Sequence, residues 1–591
     1  MRRIKKIVDP LFREWPFVLV FLLLMGAKGV VQRIIMPQAF SSIESLPVSY
    51  LLSYLGVWLL GAWFWAWVFT KYPRRWLKIL VYAILFLFFV VQDFLVHHFG
   101  QMINPSYLTL LAETSPGEAK EFTDLFLFSG GTLSTVKRFL VLLGLALVLE
   151  FAWGRLRKRV VFPEGLALAL AIPLSICLLY GVYSCKIYGR ILGMKDEYSL
   201  DEHRVPSDPL SRSFYSVRVY LLMGKHFDQA IQTTLSMPPA ELRTEQKQAD
   251  SLSVILVLGE SYSKWHTPLY GYGLNTTPHM LREKEKGNLL VFEDVVSTYN
   301  LTSNSLKDML CANRSSLGEA WYEAPYVPAV FKSAGFEVYF WDNQQTYLGF
   351  LPVSISLNSF LYHPDIVAAS YSHTNTKTFT HDGDLVKDYL DSVRIESSPS
   401  FSLIHLLGQH MDFNERYPGA FSHFTADSIS REEPYLDAGK RRLIAEYDNA
   451  TFYNDAVWEK IMSHYRNRNA VIVYISDHGE EIYDVRDQAY RDHGPLTAEK
   501  LQTQYSIPMM VWFSDKYQEL YPETVSQARK AVARPLSGDL LCQVLFHLAG
   551  VETPCYQAEY DVLDESYIYP KRLVQGSVDY DMFMKNAKFV Q

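Results

Sequence analysis

The 591-residue sequence predicts a five-helix transmembrane domain followed by an exported α/β sandwich. Apolar residues make up 49% of the chain and aromatic residues 14%, and the excess lies in the first third. Clusters of Lys and Arg alternate with the long apolar segments of that third. In the last two thirds, short apolar runs alternate with helical patterns, which is typical of a layered sheet of mostly parallel strands.

The first third contains five long segments with few charges, each near the roughly 20 residues that a helix needs to cross a bilayer. Glu150 and Glu164 interrupt the last two, so their bounds are less well defined. Buried core helices are the alternative, but five such segments in succession favour a membrane domain. The segments are Trp15–Met36, Pro47–Thr70, Trp76–Gly100, Phe139–Gly154 and Val160–Tyr183.

Basic residues indicate how these spans are oriented, because Lys and Arg collect on the cytoplasmic side. With five spans, all three basic clusters fall on one side, and the chain after Tyr183 lies outside. The first span is too long for a signal peptide and lacks a small-residue cleavage site, so we expect it to be retained. The clusters are Arg2–Lys6, Lys71–Arg75 and Arg155–Arg159.

We expect three regions: a transmembrane domain over residues 1–185, a largely helical linker over 186–250, and an exported α/β catalytic domain over 251–591. The net charge of -7 gives no reason to expect nucleic-acid binding. Of the five cysteines, three lie in the exported part, where a disulfide can persist. Cys542 and Cys555 are close enough in sequence to pair, and free thiols are equally consistent with the spacing; Cys311 is the third.

Strands are expected where short apolar runs occur in the exported part, and long helical patterns lie between them. Arg442–Arg466 has the clearest helical pattern. Ligands of such sheets bind beyond the carboxyl ends of the strands. The predicted strands are Val254–Leu258, Phe336–Trp341, Ser402–Leu407, Ala470–Ile475 and Met509–Phe513.

Two of these strands end in residues that can bind a metal. Asp477 and His478 follow the run Val471–Ser476, and Glu260 follows the first strand. If the two strands are neighbours, three ligands meet at one sheet edge, and zinc with three protein ligands keeps a position open for a nucleophile or substrate. A simple strand-to-loop turn at Asp477 and a helix N-terminal carboxylate at Glu260 are the alternatives.

The segment Ser297–Met309 is rich in hydroxyl groups. A threonine or serine next to zinc can act as a nucleophile. Spacing alone does not decide which hydroxyl would do so, and a hydroxyl-rich helix cap is the alternative. The candidates are Thr298, Thr302, Ser303 and Ser305.

Two histidines stand in loops after apolar runs, His410 after Leu403–Leu407 and His493 shortly after the Asp-His run. Imidazoles at a phosphoryl centre donate to non-bridging oxygens or protonate a leaving group. A solvent-exposed loop histidine without a catalytic role is the alternative for each.

Together these residues resemble the membrane-bound phosphoethanolamine transferases of the alkaline phosphatase/sulfatase superfamily. The resemblance covers nearly the whole chain. It rests on motifs that are specific in combination: Val254–Ser261 with Leu269–Tyr272, the Thr302 segment, Phe340–Gln344, Gly408–His410 with Arg416–Pro418, Tyr447–Asn449, and Ser476–Glu480 followed by His493-Gly494.

The resemblance implies a role for each site residue. It implies Zn²⁺ held by Glu260, Asp477 and His478, with Thr302 as both nucleophile and fourth ligand. It implies that His410 and His493 bind the substrate phosphate, and that Asn343 and Gln344 of the Trp-Asp-Asn-Gln run contact substrate. Thr114 and Glu118, in the loop after the third span, resemble residues that contact the ethanolamine lipid.

The resemblance also implies a reaction and a location. Phosphoethanolamine would pass from phosphatidylethanolamine to an envelope glycolipid or glycan (lipid A, lipopolysaccharide core or another) through a phospho-threonine intermediate. The protein would be a monomeric, multi-pass protein of the bacterial inner membrane with its catalytic domain in the periplasm.

The sequence departs from the family pattern in ways that bear on the acceptor. Relatives that modify lipid A carry paired cysteines where this chain has Thr298 and Asp308. A basic residue often follows the Trp-Asp-Asn motif, and near Leu348 this chain has none. Met411-Asp412 stands after His410 in place of Gly-Pro. These differences favour a separate branch of the family.

Four other functions are alternatives, and the site motifs argue against two of them. A phosphoglycerol transferase or a phosphodiesterase would use the same metal and threonine chemistry. A sulfatase needs a Cys or Ser in a motif that also contains Pro and Arg, and Ser261-Tyr-Ser-Lys264 contains neither the Pro nor the Arg. A membrane sensor that has lost catalysis is disfavoured by the complete set of site residues.

Overall fold

A computed structural model of the chain describes residues 9–26, 48–99, 130–156, 164–194, 209–243, 251–344, 357–394, 399–491 and 496–587, with scattered residues between 102 and 127. These residues form two compact units. The first lies within residues 1–224, and the second comprises most of the chain from residue 225 onward. The predicted domain bounds at 185 and 250 stay predictions.

The first unit is helical. Its longer helices are α1 (Trp15–Gly26), α2 (Val48–Lys71), α3 (Arg75–Phe99), α4 (Gly130–Leu156) and α5 (Glu164–Ser184). Within the described residues, two of them, α3 and α4, are long and apolar enough to cross a membrane. The count of five spans stays a prediction. Another helix, α6 (Pro209–Leu235), begins in the first unit and ends in the second, in the segment predicted to be largely helical.

Ion pairs explain the charged residues inside these apolar helices. Lys78 Nζ lies 2.7 Å from Glu14 Oε2 and 2.7 Å from Glu150 Oε2, and Tyr82 donates to Glu150 at 2.8 Å. Glu150, which interrupts a predicted span, therefore pairs with two residues of α3. Charged groups in apolar surroundings are tolerated when they are paired in this way.

The second unit is built on an eight-stranded sheet of order β4-β3-β5-β1-β6-β7-β2-β8. β1 is parallel to both neighbours, β5 and β6, whereas β7 is antiparallel to β6 and β2. The strands are β1 (Ser253–Gly259), β2 (Leu289–Val296), β3 (Glu337–Asp342), β4 (His373–Thr374), β5 (Ser400–His405), β6 (Ala470–Ser476), β7 (Ser506–Phe513) and β8 (Leu536–Ser537).

Helices cover both faces of this sheet, as expected for strands that are apolar along their whole length. The main ones are α7 (Pro278–Glu285), α8 (Thr302–Leu310), α9 (Val327–Ser333), α10 (Pro364–Ser370), α11 (Asp382–Ser392), α12 (Ala438–Tyr465), α13 (Pro522–Ala531) and α14 (Leu541–Ala549).

The core shows the two periodicities of a helix packed on a sheet. Ile255 and Val257 of β1 share a buried cluster with Trp458, Ile461 and Tyr465 of α12, and all five are fully buried. Alternate strand residues contribute to one face, and α12 contributes every third or fourth residue. Each such aliphatic side chain stabilises the fold by about 1.5–3 kcal/mol through burial.

All five predicted strands and the long helix are confirmed, with bounds that differ by a few residues. The prediction missed the two-residue strands β4 and β8. It also missed β2, because exposed Glu293 and a β-bulge between Phe292 and Val295 interrupt its apolar pattern. All five cysteines are free thiols, so Cys542 and Cys555 do not pair. Gln543 Nε2 instead donates to the Cys555 carbonyl at 2.9 Å.

Candidate metal centre and nucleophile

The sheet brings the predicted ligands to one edge. β1 and β6 are adjacent and parallel, with Gly259 opposite Ser476, so Glu260 and Asp477 leave the sheet side by side. The next loop closes on them: Gly408 has φ +52°, and a Cβ there would meet Glu260 N at 2.8 Å and Glu260 O at 2.7 Å. Glycine is required by both the left-handed φ and this close approach.

Glu260, Asp477 and His478 form a buried cluster whose ligand atoms all lie within 4.8 Å of one another. His478 Nε2 lies 3.0 Å from Asp477 Oδ2 and 3.4 Å from Glu260 Oε1. The structure therefore brings these three residues together at one sheet edge, and their binding of zinc stays a prediction.

Hydrogen bonds to neighbouring backbone groups orient Asp477 and His478. Asp477 Oδ1 accepts the backbone N–H groups of Ser261 at 3.0 Å and His478 at 2.7 Å, while no donor within the part of the chain that the structure describes satisfies buried Oδ2. His478 Nδ1 lies 2.9 Å from the Gly479 carbonyl, which can only accept, so Nδ1 carries the proton. The Nε2 lone pair then faces Asp477 Oδ2.

The protonation of His478 agrees with this arrangement. Burial, and then the positive charge of Arg491, lower the pKa of His478 to about 3, so the imidazole is neutral at neutral pH. A neutral imidazole nitrogen facing carboxylate oxygens is a donor set that suits zinc. The residues present therefore fit a metal ion.

Thr302 is the first residue of α8, and its side chain reaches the cluster. Its hydroxyl donates to Glu260 Oε2 at 2.9 Å and lies 3.3 Å from His478 Nε2. Of the other hydroxyl candidates, Thr298 Oγ1 is buried without a hydrogen-bond partner among the described residues, and Ser305 donates to the Tyr299 carbonyl at 2.9 Å. The geometry thus brings Thr302 to the predicted metal ligands Glu260 and His478.

The remaining predicted residues have different surroundings. Gln344 Nε2 donates to Glu260 Oε2 at 3.2 Å and to the Leu406 carbonyl at 2.8 Å, so it holds a ligand of the cluster. Asn343 is buried and donates to Asp382 Oδ1 at 2.9 Å. Substrate contact through either amide stays a prediction.

The other four predicted contacts remain untested. His410 is half-buried in the loop that contains Gly408, and Thr114 is a half-buried residue of the first unit. Glu118 and His493 lie outside the described residues.

Two residues that the sequence reasoning missed contribute to the site. Asp382 accepts the backbone N–H groups of Leu407 at 2.9 Å and Gly408 at 2.8 Å, which fixes the loop that packs on Glu260. Arg491 places its guanidinium against His478 Nε2. A basic residue two positions before the predicted His493 was the available signal for Arg491, whereas Asp382 is distant in sequence from every motif.

Comparison with known proteins agrees with this architecture. The family profile described as Sulfatase matches residues 253–551. The chain is 25% identical over 499 residues to phosphoethanolamine transferase EptC of Escherichia coli strain K12, covering 82% of each chain. It is 27% identical over 311 residues to the Kdo(2)-lipid A phosphoethanolamine 7''-transferase of the same strain, covering 49% of this chain and 50% of that protein.

Solved structures show the same fold. The periplasmic domain of Escherichia coli EptC in complex with Zn is 25% identical, with a TM-score of 0.51 over 60% of this chain and 98% of that one. The integral membrane EptA of Neisseria meningitidis superposes with a TM-score of 0.56 at 16% identity, over 93% of this chain and 98% of that one. The resemblance to phosphoethanolamine transferases is confirmed, and the chain belongs to the sulfatase family.

Proposed function

We propose that this protein is a zinc-dependent transferase that moves phosphoethanolamine from phosphatidylethanolamine to an envelope glycolipid or glycan. One observation carries the proposal: the Thr302 hydroxyl lies 2.9 Å from Glu260 Oε2 and 3.3 Å from His478 Nε2, beside a buried three-ligand cluster. A hydroxyl at this position suits nucleophilic attack on phosphorus.

Glu260, Asp477 and His478 would hold the zinc ion, with Thr302 beside them as the fourth ligand. When bound, zinc would supply positive charge that stabilises a deprotonated hydroxyl and polarises a phosphoryl oxygen. The relative whose periplasmic domain was crystallised with Zn supports this assignment.

In the first step, Thr302 Oγ attacks the phosphorus of the donor lipid, and the bond from phosphorus to the diacylglycerol oxygen breaks. Glu260 Oε2, which accepts the hydroxyl hydrogen bond, is positioned to take the proton. The diacylglycerol oxygen takes up one proton, which balances the proton that Thr302 gives to Glu260, and diacylglycerol leaves as an alcohol. Phosphoethanolamine remains covalently attached to Thr302.

In the second step, a hydroxyl or phosphate oxygen of the acceptor attacks the same phosphorus and releases Thr302. His410 and His493 would donate to the non-bridging oxygens, whose charge grows in the transition state. Positioning and electrostatics supply most of the acceleration in phosphoryl transfer, because the protein has little covalent chemistry of its own to perform.

The membrane part would hold the donor lipid. We propose five spans, a multi-pass monomer in the bacterial inner membrane, and a periplasmic catalytic domain, as the basic clusters predict. Thr114 and Glu118 would contact the ethanolamine lipid. The relatives named as phosphoethanolamine transferases support the choice of transferred group.

The direct test supplies the purified full-length protein with phosphatidylethanolamine labelled in its headgroup, and separately with labelled phosphatidylglycerol. We expect label in the protein only from the ethanolamine lipid, and none in Thr302→Ala. Ser303→Ala, a hydroxyl deletion one residue along, is the matched control. Full transfer by Thr302→Ala would exclude the covalent route, and label only from the glycerol lipid would favour a phosphoglycerol transferase.

A cellular experiment identifies the acceptor. Mass spectrometry of envelope glycolipids compares cells that express the wild type with cells that express Thr302→Ala. One species should gain the mass of a phosphoethanolamine group only with the wild type. Release of free ethanolamine phosphate with no acceptor product would favour a phosphodiesterase.

A further inference from the structure

The side chain of Arg491 is largely buried at the metal cluster, although it lies in a loop. It is 10% exposed, and its Nη1 contacts Nε2 of His478, the same nitrogen that lies 3.3 Å from Thr302 Oγ1. Nη1 is also 3.8 Å from Glu260 Oε1, and Nε is 3.9 Å from Glu480 Oε2. The guanidinium thus lies on the nucleophile's side of the cluster.

The sequence indicates why a cation is needed there. A phosphoryl group in transfer carries negative charge on its non-bridging oxygens, and enzymes meet that charge with Arg or Lys. Between Asn343 and His363 this chain has no basic residue, so the segment after Trp341 supplies none. Arg491, which is far from that segment in the sequence, supplies a cation instead.

The chemistry of guanidinium favours phosphate binding over a purely structural role as a counter-ion. Arginine presents a planar fork of N–H donors that matches two phosphate oxygens at once. Zinc bound at His478 Nε2 would displace the guanidinium from that nitrogen, and an anion between the two cations would offset their repulsion. A phosphate that Arg491 binds through two oxygens would supply that anion, with Glu480 Oε2 3.9 Å from Arg491 Nε.

We propose that Arg491 is a phosphate-binding catalytic residue of this chain, which contacts the phosphoryl group as it passes through Thr302. The inference rests on the proposed function only for the identity of the group attached to that phosphate. Binding of a phosphate to the zinc-loaded protein through Arg491 does not depend on that identity.

The test uses zinc-loaded, full-length protein and inorganic phosphate as the probe. Calorimetry measures phosphate binding, and elemental analysis measures zinc per chain, for the wild type, Arg491→Met and Arg491→Lys. We expect Arg491→Met to keep its zinc and to bind phosphate about 30-fold more weakly, the loss expected for a bidentate charge-assisted contact. Arg491→Lys should recover part of that affinity, since it keeps the charge but loses the fork.

Arg314→Met is the matched control, because Arg314 is also a mostly buried loop arginine but pairs with Glu319. It should bind phosphate as the wild type does. Unchanged phosphate affinity in Arg491→Met would overturn the inference, and so would loss of zinc, which would make Arg491 part of the metal cluster's support.

Transfer assays separate the two proposals. With labelled phosphatidylethanolamine, Arg491→Met should lower kcat/KM at least about 100-fold, in line with the loss of an arginine that stabilises a phosphoryl transition state. If the wild type binds phosphate through Arg491 but transfers nothing from this lipid, the donor assignment fails and the inference stands. If the wild type transfers phosphoethanolamine and Arg491→Met does so with the same kcat/KM, only the inference about Arg491 fails.

Discussion

Replacing Gly408 with alanine should damage the metal centre without altering any ligand. Gly408 has φ +52°, a conformation that costs alanine about 1–2 kcal/mol, and its new Cβ would lie 2.7 Å from Glu260 O and 2.8 Å from Glu260 N. Both atoms are backbone, so Glu260 must move by about 0.6–0.7 Å to reach ordinary van der Waals contact at 3.4 Å. Overpacking of this kind costs about 1–3 kcal/mol, so the variant should lose about 2–5 kcal/mol in total.

The functional loss should exceed the loss of stability. Glu260 Oε2 lies 2.9 Å from Thr302 Oγ1, and a displacement of about 1 Å at a reacting group costs about 100-fold in rate. We therefore expect kcat/KM to fall at least about tenfold, and zinc affinity to fall by about 10–100-fold, the usual effect of disturbing the shell around a metal.

Zinc titration, thermal unfolding and transfer of labelled phosphoethanolamine check this prediction on the same preparations. Gly419→Ala is the control, because its Cβ would meet no atom within 4 Å. The reasoning fails if Gly408→Ala binds zinc and transfers label as Gly419→Ala does.

Three further predictions concern other parts of the second unit. Gln344→Ala should weaken zinc binding about 10–100-fold in a zinc titration, because Gln344 donates to Glu260 Oε2; unchanged affinity would contradict this. Chelation should lower Tm and zinc should restore it. At a thousandfold excess over its Kd, zinc should raise the free energy of unfolding by about 4 kcal/mol; a Tm unaffected by chelator would argue against a structural contribution of the metal. Burial alone would lower the pKa of His266, but Asp484 and Asp448 outweigh it and raise the pKa to about 9. Since this pKa is raised above the unfolded value of about 6.5, the stabilisation is complete below pH 6.5 and is lost as pH rises to 9, a change on the order of 3 kcal/mol. Thermal unfolding should show this decline in the wild type but not in His266→Gln.

The fold was predictable where its signal is local. β1 and β6 are uninterrupted apolar runs, so their positions follow from composition, and the acids and imidazole after them follow from the rule that sites form beyond strand ends. The prediction had to assume that β1 and β6 are neighbours, because pairing between segments far apart in sequence leaves no local pattern. The antiparallel β2 was missed because Glu293 and a bulge break its pattern.

The contacts of individual side chains were harder to predict than which residues meet at the sheet edge. Gln344 belongs to a motif that implied substrate contact, yet its amide donates to Glu260, and only the three-dimensional arrangement reveals that contact. The closeness of Arg491 to His493 in sequence was the local signal for it, but the contact of its guanidinium with His478 depends on the three-dimensional arrangement. Choosing Thr302 among four hydroxyls required the family resemblance, and its distance to Glu260 agrees with that choice.

The covalent intermediate on Thr302 is the most direct test of the account. Zinc-loaded protein is incubated with phosphatidylethanolamine in the absence of acceptor, quenched in acid, digested and analysed by peptide mass spectrometry. The account predicts that the peptide containing Thr302 gains the mass of one phosphoethanolamine group, and that the gain maps to this residue. No gain, or a gain on another residue that persists in Thr302→Ala, would contradict it.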